Sequence, residues 1–182
     1  MGNGESSYRR FLSGDDSAFG DIMDEYRRGL ILFVNRYLND LDASEDIAVE
    51  VFTYVFVNPG KYNFKVSLKT YLYMLGRSRA LNVLKHRKVI EFVPLSEAEN
   101  IPSKDKTPEG YVIEDERKRL VNTAMEKLPE DMRTAVYLVY FEELSYKETA
   151  KVMKKSEKQV DNLLYRAKKE LHTILGKSVD KL

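Results

Sequence analysis

LPEDMRTAVYLVYFEELSYKETAKVMKKSEKQVDNLLYRAKKEL, residues Leu128–Leu171, carries the punctuation of closely spaced helices. Pro129 followed by Glu130 and Asp131 opens one helix, with proline and acids in the first turn where the helix dipole favours them. Ser145-Tyr-Lys-Glu148 is a capping box for a second helix, and Ser156-Glu-Lys-Gln159 for a third. In each box the serine hydroxyl caps the third helical N–H while the acid or amide reaches back to the serine N–H. Little more than Lys154 and Lys155 separates the last two helices. A short helix, a tight turn and a longer helix with a basic outer face read as a helix-turn-helix. Helix hairpins also occur in proteins that bind no DNA, so the faces of the last helix have to decide.

Val160, Leu164, Ala167, Leu171 and Ile174 recur at helical spacing and are expected to pack inward. The opposite stripe is Lys158, Asp161, Asn162, Tyr165 and Lys169, flanked by Arg166 and Lys168. Asn pairs with adenine and Asp accepts from a cytosine amino group, so the amino end of this helix has base-reading chemistry. The cations further along suit phosphates, which position a helix without carrying sequence information.

Working outward, residues 91–110 hold Pro94, Pro102 and Pro108 among Glu, Ser, Lys and Asn, and read as a flexible linker. A helix over Tyr111–Leu128 is expected to follow it. Upstream, Ser17–Leu38 reads as a helix capped by Asp15 or Asp16, with the apolar stripe Phe19, Ile22, Met23, Tyr26, Leu30, Phe33 and Tyr37. A second starts at Asp42-Ala-Ser-Glu45, carries Ile47, Val51 and Val55, and stops at Asn58-Pro59-Gly60. A third runs from Ser67 to Lys88. Nothing alternates as a strand does. The expected fold is all-α, with two small helical domains: residues 1–90 and 111–182, joined by the linker 91–110.

Composition removes many functions. The 182 residues include no cysteine, which excludes disulfides, thiolate metal sites and thiol catalysis, and only two histidines, His86 and His172. No Gly-rich phosphate loop, Ser-His-Asp set or metal-ligand spacing occurs. The longest apolar run, Ala135–Phe141, is far too short for a membrane span, and the amino terminus lacks a secretory apolar region. We therefore expect no catalysis, no cofactor, no metal, no small-molecule substrate and a cytoplasmic location. Net charge is only +1, yet the charges are sorted into blocks. Lys61, Lys65, Lys69, Arg77, Arg79, Lys85, Arg87 and Lys88 occupy a stretch to Ile90 that has no acid. Asp40, Asp42, Glu45, Asp46 and Glu50 occupy Asn39–Asn58 without a Lys or Arg. Two basic stretches separated by acidic ones suit a chain that touches a polyanion twice. Glu142 and Glu143, adjacent in a turn, are expected to be merely solvated.

The chain resembles bacterial RNA polymerase sigma factors of the extracytoplasmic-function (ECF) class, within the sigma-70 superfamily. DLDASEDIAVEVFTYVF (Asp40–Phe56) with KYNFKVSLKTYLYMLGRSRALNVLKHRK (Lys61–Lys88) resembles the second conserved sigma region, and Leu128–Leu171 the fourth. LPEDMR, FEELSYKETA and YRAKKEL in that order are specific together, though each alone is weak. The resemblance implies a sigma region 2 helical bundle in residues 1–90 and a sigma region 4 helix-turn-helix in residues 111–182. The opening Met1–Ser6 fits an N-myristoylation pattern, which we read as chance because the resemblance is to bacterial proteins.

The resemblance also implies roles. Asp46, Val49 and Glu50 would bind the clamp coiled coil of the largest subunit of core RNA polymerase, and the flap would be a second contact. Val49 stands where the family often has Gln. Lys61, Tyr62, Phe64, Lys65, Lys69, Tyr73, Arg77 and Arg79 would recognise and melt the minus-ten promoter element, since aromatics interleaved with cations are what single-stranded DNA needs. Tyr71, where the family has a core Trp, is expected to pack. Lys158, Gln159, Asp161, Asn162, Tyr165, Arg166 and Lys169 would read the minus-thirty-five element. The family commonly has cations where this chain has Asp161 and Leu163, while Lys158 is gained. An anti-sigma factor, often membrane-anchored in this class, is the remaining implied partner. A stand-alone helix-turn-helix regulator would leave Asp40–Lys88 unexplained; an all-helical protein-binding adaptor or sequestering partner is the alternative from a different class.

Overall fold

The structure, a computed structural model, describes residues 3–92, 121 and 123–179. Among these every regular element is a helix, and no strand occurs. They group into two compact units, one of residues 3–63 with 75–92, the other of residues 64–74 with 121 and 123–179. The sequence reading placed 64–74 with the first domain. They cluster instead with the C-terminal unit, where side chains of residues 142 and 148 hold them. The expected linker and most of the expected helix Tyr111–Leu128 lie outside the described residues.

In the first unit α1 spans Asn3–Leu12, α2 Ser17–Leu38 and α3 Leu41–Val57, followed by a 3₁₀ turn at Pro59–Lys61. The helix α4 spans Leu68–Phe92 and belongs to this unit from Leu75 onward. The stripe of α2 buries Phe19, Ile22, Tyr26, Leu30 and Phe33 as its spacing requires. That helix ends at Asn39 in the left-handed conformation, which Asn tolerates better than most residues. The cap of α3 is Asp40 rather than Asp42. Its Oδ1 accepts from the Ala43 N–H at 3.1 Å and its Oδ2 pairs with Arg87 at 2.8 Å. The Ala43 N–H first, and Arg87 second, hold the Asp40 carboxyl below the usual carboxylate range.

The sequence reading missed α1, and this helix closes the core. Tyr8 is fully buried, its hydroxyl donates to the Pro59 carbonyl at 2.8 Å, and its ring meets Tyr62 edge-on at 5.0 Å. Phe11 stacks on Phe56 at 5.3 Å and lies 5.1 Å from Phe19, so the three helices share one aromatic cluster. A Cβ at Gly4 would overlap the Tyr26 hydroxyl, so only glycine lets α1 approach α2 this closely.

In the second unit α5 spans Glu130–Val136 behind Pro129, which stands at the cap position, and then loosens into a π-turn at Tyr137–Phe141. The helices α6, Tyr146–Met153, and α7, Glu157–Val179, complete the described part. Both α5 and α6 pack on α7, around Met132, Leu138, Val152, Met153, Val160, Leu164 and Ala167.

Tyr8 gives a test of α1. Tyr8→Ala is expected to cost about 3–5 kcal/mol, as truncation of a buried aromatic does, and Tyr8→Phe about 1 kcal/mol for the lost hydrogen bond. Urea unfolding followed by circular dichroism checks both values. A negligible loss in Tyr8→Ala would remove α1 from the core.

Candidate nucleic-acid interface

Two capping boxes set the geometry of the α6–α7 pair. The Ser145 hydroxyl and N–H both meet Glu148, which starts α6. The Ser156 N–H donates to Gln159 Oε1 at 2.8 Å and its Oγ accepts from the Gln159 N–H at 3.2 Å, which starts α7. Between them Lys154 takes the left-handed conformation at φ 54°. The Lys155 N–H reaches the Ala150 carbonyl at 2.9 Å and the Lys154 N–H the Lys151 carbonyl at 3.3 Å. These bonds form a Schellman turn built on lysine where glycine is usual. These bonds and the Ser156 capping box satisfy several of the end groups that a helix start or stop leaves open.

Along α7, Val160, Leu164 and Ala167 are buried, while Leu171 and Ile174 are half-buried where the packed face tapers. Lys158, Gln159, Asp161, Asn162, Tyr165, Arg166 and Lys169 are all exposed. Tyr165, at 71% exposure, is an aromatic that α7 presents to solvent rather than to its core. Lys155, Gln159, Asn162, Leu163 and Arg166 line one shallow cleft. Lys155 also pairs with Asp131 at 2.9 Å, and Lys168 Nζ lies 5.8 Å from the Tyr140 ring.

The segment 64–74 of the same unit is held by acids the sequence reading left to solvent or to capping alone. Lys69 Nζ donates to the Glu142 carbonyl at 2.7 Å and pairs with its carboxylate at 2.8 Å. The Glu142 side chain is only 11% exposed, so the expectation of a solvated acid is corrected. Glu148 Oε1 accepts from Ser67 Oγ at 2.8 Å and from Thr70 Oγ1 at 3.2 Å, while its Oε2 serves Ser145. Burial alone would raise the Glu148 pKa. The hydrogen bonds from Ser145, Ser67 and Thr70 outweigh burial and hold the carboxyl below its ordinary range. No local signal announces these contacts, since the partners lie 78 and 81 residues away in sequence.

Of the residues expected at the minus-ten element, Lys61 and Lys65 are exposed and Phe64 is half-buried. Phe64 sits at φ 60°, a left-handed conformation that is costly for a bulky residue. Tyr62 and Tyr73 require correction as base platforms. Tyr62 is 4% exposed against Tyr8, and burial pushes its hydroxyl pKa up; Tyr73 is fully buried. Both rings are core. In the first unit Arg77 is half-buried, and its buried Nε has no partner among the described residues. Arg79 lies 3.6 Å from Glu50 and 5.1 Å from the Tyr54 ring. Asp46, Val49 and Glu50 form an exposed patch on α3, where Val49 is 53% exposed although apolar. The sites thus divide: Phe64, Lys65, Lys69 and Tyr73 share a unit with α7, while Lys61, Tyr62, Arg77 and Arg79 share one with Asp46, Val49 and Glu50. Among the described residues no cluster of His, Asp or Glu could hold a metal ion, and no helix is long and apolar enough to cross a membrane.

The family "Sigma-70, region 4" matches residues 118–171. The RNA polymerase sigma-H factor of Pseudomonas aeruginosa is 27% identical over 174 residues, 91% of this chain and 90% of the relative. The ECF RNA polymerase sigma factor SigW of Bacillus subtilis is 25% identical over 171 residues, covering 90% and 91%. The ECF RNA polymerase sigma-E factor of Escherichia coli is 28% identical over 170 residues, covering 89% and 88%. Among solved structures, the sigma factor RpoE of Bartonella quintana, in complex with the anti-sigma factor NepR, aligns with a TM-score of 0.62 at 18% identity over 87% of this chain and 96% of that one. CnrH in complex with the cytosolic domain of CnrY aligns with a TM-score of 0.66 at 16% identity, over 97% and 99%. These two structures share the fold.

Glu148 generates a pH test. Its pKa is lower folded than unfolded, so its contribution is whole above the ordinary glutamate range and is lost as pH falls through the folded value. Urea unfolding between pH 7 and pH 3 is expected to show the C-terminal transition weakening on acidification. Glu148→Gln should be less stable at pH 7 and flatter across that window. An identical pH profile in the two proteins would place the acid sensitivity elsewhere.

Proposed function

We infer that this chain, a member of the extracytoplasmic-function class of sigma-70 RNA polymerase factors, binds core RNA polymerase and directs it to promoters through their minus-ten and minus-thirty-five elements. The observation that carries the DNA-reading half is α7, a helix started by a capping box after a tight turn and presenting Lys158, Asp161, Asn162, Tyr165 and Arg166 to solvent. Its amino-terminal polar groups suit base edges and its later cations suit phosphates. Its relatives are sigma factors, which are not enzymes. The chain contributes promoter choice, and catalysis belongs to the polymerase.

For the minus-ten element we propose Lys61, Phe64, Lys65, Lys69, Arg77 and Arg79 as contacts. Tyr62 and Tyr73 support the backbone that carries them, because a ring buried in the core cannot stack on a base without unpacking. For the minus-thirty-five element the proposed set is Lys158, Gln159, Asp161, Asn162, Tyr165, Arg166 and Lys169. For the polymerase clamp it is Asp46, Val49 and Glu50, where an exposed valine between two exposed acids suits a partner that is basic with an apolar centre. An anti-sigma factor is the third partner, and a cytoplasmic location follows from the proposed work on DNA.

Reconstitution with core RNA polymerase and promoter-dependent transcription test the reading. Asp46→Lys with Glu50→Lys is expected to abolish holoenzyme formation while the fold survives. Both acids are exposed, and the 3.6 Å contact of Glu50 with Arg79 is a surface pair worth about 0–1 kcal/mol. Native gel shift of the polymerase and a thermal melt of the variant give the two readouts. Unchanged affinity for the polymerase would detach this patch of α3 from the interface.

A further inference from the structure

The stretch leading into α6 holds Lys69 more completely than an ion pair requires. A lysine ammonium has three N–H donors, and Glu142 alone takes up Nζ twice, through its carbonyl at 2.7 Å and its carboxylate at 2.8 Å. The centre of the Tyr73 ring lies 5.8 Å from the same nitrogen. Little of the ammonium group is left for a partner from outside.

The backbone around Lys69 is fastened as well. Ser67 and Thr70 both bind Glu148 Oε1, at 2.8 and 3.2 Å, and Thr70 is fully buried. Glu142 and Glu148 thus grip one segment, the first through its cation and the second through two hydroxyls. Lys69 can reach another anion only by letting go of Glu142. A carboxylate and a phosphate satisfy an ammonium group in the same way, with anionic oxygens that accept charge-assisted bonds. Lys69 is among the cations proposed for the minus-ten element, and the Glu142 carboxylate stands where a phosphate oxygen would have to stand. The adjacent acid Glu143 is exposed, so the arrangement belongs to one placed side chain and not to the acidity of the turn.

We propose that Glu142 is an autoinhibitory group: it occupies Lys69 as a phosphate would, and the free chain thereby withholds this cation from nucleic acid until the contact is exchanged for DNA. The proposal rests on the sigma-factor reading and deepens it with a regulation of the minus-ten surface. A subunit that selects promoters has a use for such a contact, because an open basic stretch binds any polyanion whatever its sequence.

The test follows binding of the free full-length chain to fluorescent oligothymidine by anisotropy across a salt series, since phosphate contacts carry no sequence information. Glu142→Gln removes the charge and leaves the backbone carbonyl. It is expected to bind about fivefold more tightly at about 0.1 M salt. Its log–log salt slope should steepen by about 0.7, the share of one added phosphate contact on a single strand. Combining Lys69→Ala with Glu142→Gln should abolish both changes. Glu143→Gln, which alters net charge equally one residue away, should stay near wild type. A thermal melt of each variant checks the fold. Should Glu142→Gln melt early, Glu142→Asp keeps the charge, draws the carboxylate back by one carbon and is expected to tighten binding by a smaller factor. Equal affinity of wild type and the Glu142 variants would overturn the proposal, as would an equal gain in Glu143→Gln or a gain that survives Lys69→Ala. Promoter-dependent transcription by the wild-type holoenzyme is measured alongside. The binding measurements decide the proposal and transcription decides the wider reading, so either can fail while the other stands.

Discussion

One oxygen of the Glu148 carboxylate accepts from the Ser145 N–H and hydroxyl, and the other from Ser67 and Thr70, so one side chain both starts α6 and fastens the segment 64–74 into the same unit. A carboxylate with this many donors is stable in a half-buried site because each charge-assisted bond offsets part of its lost hydration. The arrangement also fixes the order of dependence. The cap of α6 orients α6, the Schellman turn at Lys154 passes that orientation to Ser156, and the second capping box passes it to α7. The direction of the exposed face of α7 thus depends on backbone-directed hydrogen bonds that begin at Glu148.

The same segment shows why net charge says little about a chain of this kind. Lys69 belongs to the acid-free basic stretch, yet its ammonium group is bound twice by Glu142. A phosphate that contacts Lys69 has to displace a carboxylate that is largely withdrawn from water, and the exchange is near-balanced because one charge-assisted partner replaces another. Lys61 and Lys65 are exposed. Attraction of DNA to the basic stretch is therefore not shared evenly among its cations.

Helix positions were legible where a local signal existed. The limits of α2, the end of α3 near Asn58 and both capping boxes follow from patterns within a few residues, and the exposed stripe of α7 follows from its period. The α3 cap was misplaced because Asp40 and Asp42 are both acceptable caps, and part of what holds Asp40, its pairing with Arg87, comes from 47 residues later in the chain. The first helix was not legible because a glycine and a short length hide its period, and its anchors Tyr8 and Phe11 act through Pro59, Tyr62 and Phe56. Tyr62 and Tyr73 were misread for a related reason: an aromatic among lysines has the same sequence whether its ring faces a base or a core. Burial is a property of the partner element, and no periodicity near these residues encodes it.

The proposed reading face of α7 is defined by what it lacks as much as by what it presents. Where the family commonly has cations this helix has Asp161, which is exposed, and Leu163, which lies in the cleft with Gln159 and Asn162. Each cation removed takes away a phosphate contact that would hold any sequence equally, and an exposed carboxylate repels the backbone of every sequence alike. Both changes lower affinity for DNA in general, Lys158 offsets part of the loss, and discrimination is left to the groups proposed to touch base edges. Those groups are short polar side chains at the start of a helix whose first turn is tied down by its own cap. Rigidity matters there because a hydrogen bond discriminates between bases only when its donor cannot turn to follow the wrong one. A helix whose phosphate-binding cations lie mainly beyond its first turn, and whose start is well fixed, separates general affinity from base discrimination along its length.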